Sequence, residues 1–262
     1  MSNIVPDLEA TPVPEGLRLW WFGGPSLAIK TPRATVYLDP YYRQRSDNSP
    51  PFLRAIPNVF YPDTVSHADL IISTHDHGDH CDQPTLAPMV AHTAARLAFA
   101  ESSLAKAATW PGFPTDRITA MPPGATLTVG DVTLTAEPCR DWSDTQAVTY
   151  VLQSQGLTVF LGADTLYFAG LEGIGRRYSV DLAVFALARN RRDIIDAELY
   201  LDPPALVRAA QAVGARRVLP IHWDIWEAWV EDPQALRAPL EGTGIELLLL
   251  GQGQSYALAP PL

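Results

Sequence analysis

Residues 74–80 read Thr-His-Asp-His-Gly-Asp-His and follow directly on the apolar run Leu70-Ile71-Ile72. Of all the features of the chain, this juxtaposition most restricts the fold. His75, His77, Asp79 and His80 crowd together, and imidazole nitrogens and carboxylate oxygens are the donors that first-row divalent metals take. One helix face cannot present all of them, because helix neighbours lie three and four positions apart. A loop that turns as it leaves a strand can send alternate side chains to two adjacent centres. The fold must therefore bring a buried strand to an edge and let the chain turn there.

Three more positions repeat that context, an apolar strand ending in a metal-binding side chain. Asp39 follows Val36-Tyr37-Leu38, Asp164 follows Val159-Phe160-Leu161-Gly162-Ala163, and His222 follows Val218-Leu219-Pro220-Ile221. A single Asp after a strand is usually a helix cap or a turn residue. Several such ends beside the heptapeptide favour a site, because strand ends along one rim of a sheet lie close in space. Asp164 can bridge two cations with its two oxygens, and His222 can complete the second site.

Elsewhere the first half reads as strands at 17–22, 26–29, 35–38 and 69–73, with a proline-rich ordered loop at 41–66 that could cover a site. A short helix is expected at 102–108. Hairpins are expected at 126–129 with 132–135 around Gly130-Asp131, and at 148–152 with 158–161 around Gln155-Gly156. A strand at 181–187 precedes a helix that opens at Pro203-Pro204 and stops at Gly214. A strand at 218–221, a helix at 233–241 and a closing hairpin of 245–250 with 254–258 complete the pattern. No repeat, linker or low-complexity stretch divides the chain, so residues 1–262 read as one α/β domain.

Composition narrows the functional classes. Hydrophobic residues make up 47% of the chain, enough for a full core. With 19 Lys and Arg against 29 Asp and Glu the net charge is −10, which disfavours nucleic acid and anionic membranes as partners. An anionic small-molecule substrate would need a local basic patch or a metal. Cys81 and Cys139 are too few for a disulfide framework, and residues 1–16 form no apolar leader, so a soluble, cytoplasmic enzyme is expected.

His75-x-His77-x-Asp79-His80, a strand-terminal Asp164 and a late His222 resemble the metallo-β-lactamase superfamily. Within it the chain is most similar to the L-ascorbate-6-phosphate lactonase branch, through Leu19-Trp20-Trp21-Phe22-Gly23, Ala147-Val148-Thr149-Tyr150, Gly162-Ala163-Asp164 and Pro220-Ile221-His222-Trp223-Asp224-Ile225-Trp226. The resemblance implies a four-layer αββα sandwich, two mixed sheets between helices, with a dinuclear site on one edge. It implies that His75 and His77 hold one metal, Asp79, His80 and His222 hold the other, and Asp164 bridges. Asp39 is implied behind the ligands, accepting an imidazole N–H and fixing its tautomer.

One departure concerns the third ligand of the first metal, a histidine in most of the superfamily. The corresponding stretch reads Glu137-Pro138-Cys139-Arg140-Asp141-Trp142, without histidine. Asp141 is the candidate, Cys139 the competitor, and an incomplete first site a further alternative. Oxygen in place of nitrogen favours harder ions such as Mn²⁺, with Zn²⁺ still open. The implied reaction is attack of a metal-bound hydroxide, with Asp79 as general base, on a lactone of a phosphorylated sugar acid. A phosphodiesterase acting on a cyclic nucleotide or phospholipid, or a non-catalytic metal-binding relative, are the other readings. Arg189, Arg191 and Arg192 could hold a phosphate, or form a solvated loop paired with Asp193 and Asp196. Trp223, with Tyr41, Tyr42, Trp142, Tyr167 and Trp226, could wall a pocket. Related lactonases form oligomers, so a homo-oligomer is an expectation too.

Overall fold

In the computed structural model, residues 3–45 and 52–260 are described. Two seven-stranded sheets form its centre. The first runs in the order β14 (Ser255–Leu258), β1 (Leu17–Gly23), β2 (Ser26–Lys30), β3 (Thr35–Leu38), β4 (Leu70–Ser73), β5 (Arg96–Phe99), β6 (Ile118–Ala120). The second runs β13 (Glu246–Leu247), β12 (Arg217–Ile221), β11 (Leu182–Ala186), β10 (Leu157–Leu161), β9 (Val148–Ser154), β8 (Val132–Pro138), β7 (Thr126–Val129). In each sheet one half is antiparallel and the other parallel: β3 to β6 in the first, β10 to β13 in the second.

Strands buried on both faces explain why the sequence runs are apolar without a polar alternate. Val36 and Leu38 of β3 face the core between the sheets, whereas Tyr37 faces α1 (Val5–Ala10), α2 (Gln83–His92) and α3 (Glu101–Ala107). In β10, Val159 and Leu161 face that same inter-sheet core. Phe160 turns the other way, toward α4 (Gly170–Arg177), α5 (Pro203–Ala212) and α6 (Arg237–Leu240). The result is the four-layer αββα sandwich expected from the resemblance.

Local sequence signals account for several elements. Asp202 caps α5 by accepting the Ala205 N–H at 2.9 Å, and Gly214 takes the positive φ of 67° just beyond its end. The β9–β10 hairpin turns at Gln155 and Gly156, both at positive φ (53° and 74°), as a two-residue turn of right-handed strands requires. Residues 233–241 form a 3₁₀ turn, Pro233–Leu236, that leads into α6.

The closing hairpin is corrected. β13 pairs parallel to β12, while β14 pairs antiparallel to β1 in the opposite sheet. Residues 245–250 and 254–258 therefore tie the two sheets together instead of pairing with each other. Leu248 and Leu250 pack into the inter-sheet core on the way across.

Candidate metal centre

The parallel halves of both sheets send their carboxyl ends to one edge, where α/β proteins place ligands. Asp39 follows β3, the 74–80 loop follows β4, Asp164 lies just past β10 and His222 follows β12. Three of these ends pass through the left-handed region, with φ of 42° at Asp39, 48° at Ala163 and 68° at His222. For non-glycine residues such backbone costs on the order of 1–3 kcal/mol each and persists only where the surroundings impose it. At His222 the surroundings are visible: Gly24 O accepts the His222 N–H and the Trp21 indole N–H, each at 3.0 Å, while Gly24 N–H donates to Asp224 Oδ1 at 2.9 Å. The Gly23-Gly24 turn, at φ of 91° and 59°, thus clamps the end of β12 from the other sheet.

The donor atoms converge in two groups. His75, His77 and Asp164 form one and Asp79, His80 and His222 the other, each with its ligand atoms within 4.8 Å of one another. His75 Nε2 and His77 Nδ1 stand 2.8 Å apart. Asp164 Oδ2 lies 3.2 Å from His80 Nε2 and 3.8 Å from His222 Nε2, so this carboxylate faces both groups. Asp79 Oδ2 lies 3.0 Å from His222 Nε2 and accepts the Trp226 indole N–H at 3.2 Å.

Behind them, Asp39 organises the rings. Its Oδ1 accepts the Thr74 N–H at 2.9 Å, and its Oδ2 accepts the Thr74 hydroxyl at 2.7 Å. The same Oδ2 sits 2.8 Å from His80 Nδ1, which leaves His80 Nε2 to face the centre. The Thr74 hydroxyl, spent on Asp39, can only accept from His75 Nδ1 at 2.9 Å, so the His75 Nε2 lone pair also points inward. On the far side of His77, Nε2 meets Ser143 Oγ at 2.8 Å. Lys106 Nζ holds the loop itself by donating to Asp76 O at 2.6 Å.

This donor set fits divalent cations. Among the described residues Asp164 Oδ1 is buried at the centre with no hydrogen-bond partner, and His80 Nε2 meets only carboxylate oxygens and the facing ligands. Burial opposes charge on all these groups, yet His80 and His222 hold the carboxyls of Asp79 and Asp164 below the usual range. Likewise Asp164, Asp79 and Asp39 outweigh burial and raise His80 well above an ordinary imidazole. His75, meanwhile, is pushed down by burial and by His80 and His77. The cluster carries negative charge that only bound protons or cations can balance.

Asp141 lies beside His77 but outside both groups. Its Oδ1 accepts the backbone N–H groups of Ser143 at 2.8 Å and Asp144 at 2.7 Å and stands 3.7 Å from His77 Nε2, the ring nitrogen turned away from His75. What this geometry supplies is the turn that sets Ser143 against His77, although Asp141 Oδ2 is buried with no hydrogen-bond partner among the described residues. The Cys139 thiol joins neither group and is pushed up by burial.

A cavity of about 290 Å³ opens onto His77, Asp79 and Ser143. Its remaining wall is Phe52, Trp142, Ile195, Leu199, Tyr200 and Trp226. Among the described residues Arg189, Arg191 and Arg192 do not line it. Arg191 forks onto Asp193 at 2.7 and 2.8 Å, Arg189 reaches toward Glu231 at 3.9 Å, and Arg192 is exposed. Trp223 packs instead against Trp21, ring centres 5.2 Å apart, and Tyr41 lies buried beneath Trp226. Of the aromatics expected at the wall, Trp142 and Trp226 are there. Phe52, Ser143 and Tyr200 escaped sequence reasoning because each sits in a loop with no periodic or spacing signal. Trp226 belongs to the wall through Phe52: Glu227 N–H donates to Leu53 O at 3.0 Å and Ala55 N–H to Ile225 O at 2.7 Å, pairing the two loops.

A model of the β-lactamase superfamily domain matches residues 35–223, which include Asp39 and both groups of candidate metal ligands. The chain belongs to the metallo-β-lactamase superfamily. Its similarity within that superfamily includes a probable L-ascorbate-6-phosphate lactonase of Escherichia fergusonii, 28% identical over 208 residues. The match covers 71% of this chain and 58% of that relative, so the chain spans little more than half the length of such lactonases. Among solved superfamily folds, a metallo hydrolase from Ignicoccus hospitalis superposes with a TM-score of 0.73 at 17% identity, covering 92% of this chain and 98% of the other. An isothiocyanate hydrolase from Delia radicum gut bacteria gives 0.74 at 15% identity, covering 92% and 99%. No helix among the described residues is long and apolar enough to cross a membrane.

Proposed function

We propose that the chain is a metal-dependent hydrolase that opens a lactone at a centre of two divalent ions, Mn²⁺ or Zn²⁺. The observation that carries this reading is the pair of donor groups, His75 with His77 and Asp79 with His80 and His222, sharing Asp164 between them. Bound there, the ions would supply Lewis acidity toward a carbonyl oxygen and acidify water near neutral pH. Asp79 lies at the cavity floor, where it can take the proton of an attacking water. The water oxygen bonds to the carbonyl carbon, the ring C–O bond breaks, and the proton on Asp79 passes to the departing oxygen. One water is consumed and a hydroxy acid is formed. The Trp226 indole N–H donates to Asp79 Oδ2, which keeps that carboxylate aimed through the cycle. The lactonase relative supports the lactone as substrate, and the fold and donor set support the hydrolytic class.

Metal analysis tests the reading directly. The purified chain is stripped with a chelator, then titrated with Mn²⁺ or Zn²⁺ while bound ions per chain, lactone opening and melting temperature are followed. The expected result is two ions per chain and activity that appears with the second. At a free ion concentration about 100 times Kd, binding stabilises the folded state by ~2.7 kcal/mol. For a chain of this length that raises Tm by roughly 5–10 °C. No metal uptake and no thermal shift would leave only a non-catalytic relative.

A further inference from the structure

Chemistry at the strand ends leaves open what the cavity holds, and its walls answer that separately. We propose that the site takes an uncharged lactone whose aromatic or alkyl group lies among Trp142, Tyr200 and Trp226, and that it disfavours a phosphorylated sugar. The proposal rests on the hydrolase reading for the reaction but on the cavity wall for the substrate class.

Charge argues first. Among the described residues no Lys or Arg lines the cavity, and residues 46–51, Ser-Asp-Asn-Ser-Pro-Pro, carry none in sequence. Two cations of the surrounding shell, Arg54 and Lys106, are committed to backbone carbonyls. Arg54, buried below the wall, donates to Ile56 O at 3.2 Å and Tyr41 O at 3.5 Å, and Lys106 donates to Asp76 O. Asp79 and Asp164 bring negative charge to the centre, with Asp39 behind His80 and Asp141 beside His77, and these carboxylates would offset much of the charge of two divalent ions. Among the described residues the cavity wall offers no cation to balance a phosphate dianion, and the field of a chain of net charge −10 opposes it further.

Shape and apolarity argue second. Aromatic rings bracket the metal ligands: Trp142 lies 6.0 Å from His77 and Tyr200 lies 4.8 Å from His222, measured between ring centres. Phe52 backs the wall, edge-on to Trp226 at 5.5 Å and stacked on Trp229 at 4.7 Å. Trp142 keeps 42% of its surface exposed at the cavity mouth, apolar area that a ligand would remove from water. A volume of about 290 Å³ lies at the small end of ligand cavities and suits one ring with its acyl group.

The test uses the metal-loaded chain. Turnover is compared for dihydrocoumarin, an uncharged aryl lactone, and for a phosphorylated gluconolactone. Binding of the non-hydrolysable lactam analogue of dihydrocoumarin and of inorganic phosphate is measured by calorimetry. Expected are a kcat/KM at least about tenfold higher for dihydrocoumarin, saturable lactam binding, and a lactam Kd about tenfold weaker in Trp142→Ala. Because Trp142 is 42% exposed and belongs to none of the buried core clusters, that variant keeps its fold. Tighter binding of phosphate than of the lactam, preference for the phosphorylated lactone, or an unchanged Kd in Trp142→Ala overturns the proposal. If the lactam binds as expected but no lactone opens, the reaction proposed above fails while the substrate class stands.

Discussion

The two sides of the cavity are built by different means. Its floor consists of side chains at the ends of β3, β4, β10 and β12, buried, strained at Asp39, Ala163 and His222, and cross-braced by Thr74, Asp39 and Gly24. Its wall comes from loops around residues 52, 142, 195–200 and 226, held by ring contacts and a short pairing between 53–55 and 225–227. Rigid strand ends fix donor atoms to the tolerance that metal coordination needs, whereas loops can change composition without disturbing that geometry. Floor and wall should therefore respond to mutation on different scales.

The largest effect is expected at the floor's shared carboxylate. Asp164→Asn keeps the shape but removes the charge that faces both donor groups. Losing several kcal/mol of transition-state stabilisation corresponds to about a thousandfold or more in kcat. Bound metal per chain, measured beside turnover, should also fall. Full activity with two ions retained would show that Asp164 bridges nothing and would dissolve the distinction between floor and wall.

One layer back, the effect should shrink. Asn tolerates the left-handed backbone that Asp39 adopts at φ 42°, so Asp39→Asn isolates the charge behind His80 from the turn itself. Metal affinity, read by competition with a chelating dye, should weaken about 10- to 100-fold. An unchanged affinity would reduce Asp39 to a strand-end residue.

The floor was legible in the sequence because it obeys a local rule that each donor repeats: an apolar strand, then a ligand. The wall obeys none. Phe52 reaches the cavity only because residues 53–55 pair with 225–227, and Tyr200 only because Leu201 bridges to Leu187; both are long-range events. The same limit hid parts of the fold. β5 is four residues long and follows α2, where Pro84 and Pro88 suggest a loop although the first occupies the opening turn and only the second interrupts the helix. The strands at 246–247 and 255–258 looked like a hairpin because proximity in sequence cannot reveal that each pairs in a different sheet. Asp141, expected as the third ligand of the first metal, stands beside His77 outside both donor groups, and its Oδ1 caps a turn, a use of aspartate that spacing alone does not separate from ligation.

The smallest effect is expected for the basic loop, and it sharpens the comparison most. Arg191→Ala combined with Arg192→Ala removes two cations near the site without touching floor or wall. Arg191 is held by Asp193 and Arg192 points to solvent, and salt screens exposed charges over about 8–10 Å. The kcat/KM for uncharged and phosphorylated lactones alike should stay within about twofold of the parent. A selective rise in KM for the phosphorylated lactone would mean that the loop closes over the substrate and supplies the charge that the wall lacks. Substrate choice would then belong to a third region, neither strand ends nor aromatic rings, and the cavity's apolar lining would be a consequence of packing alone.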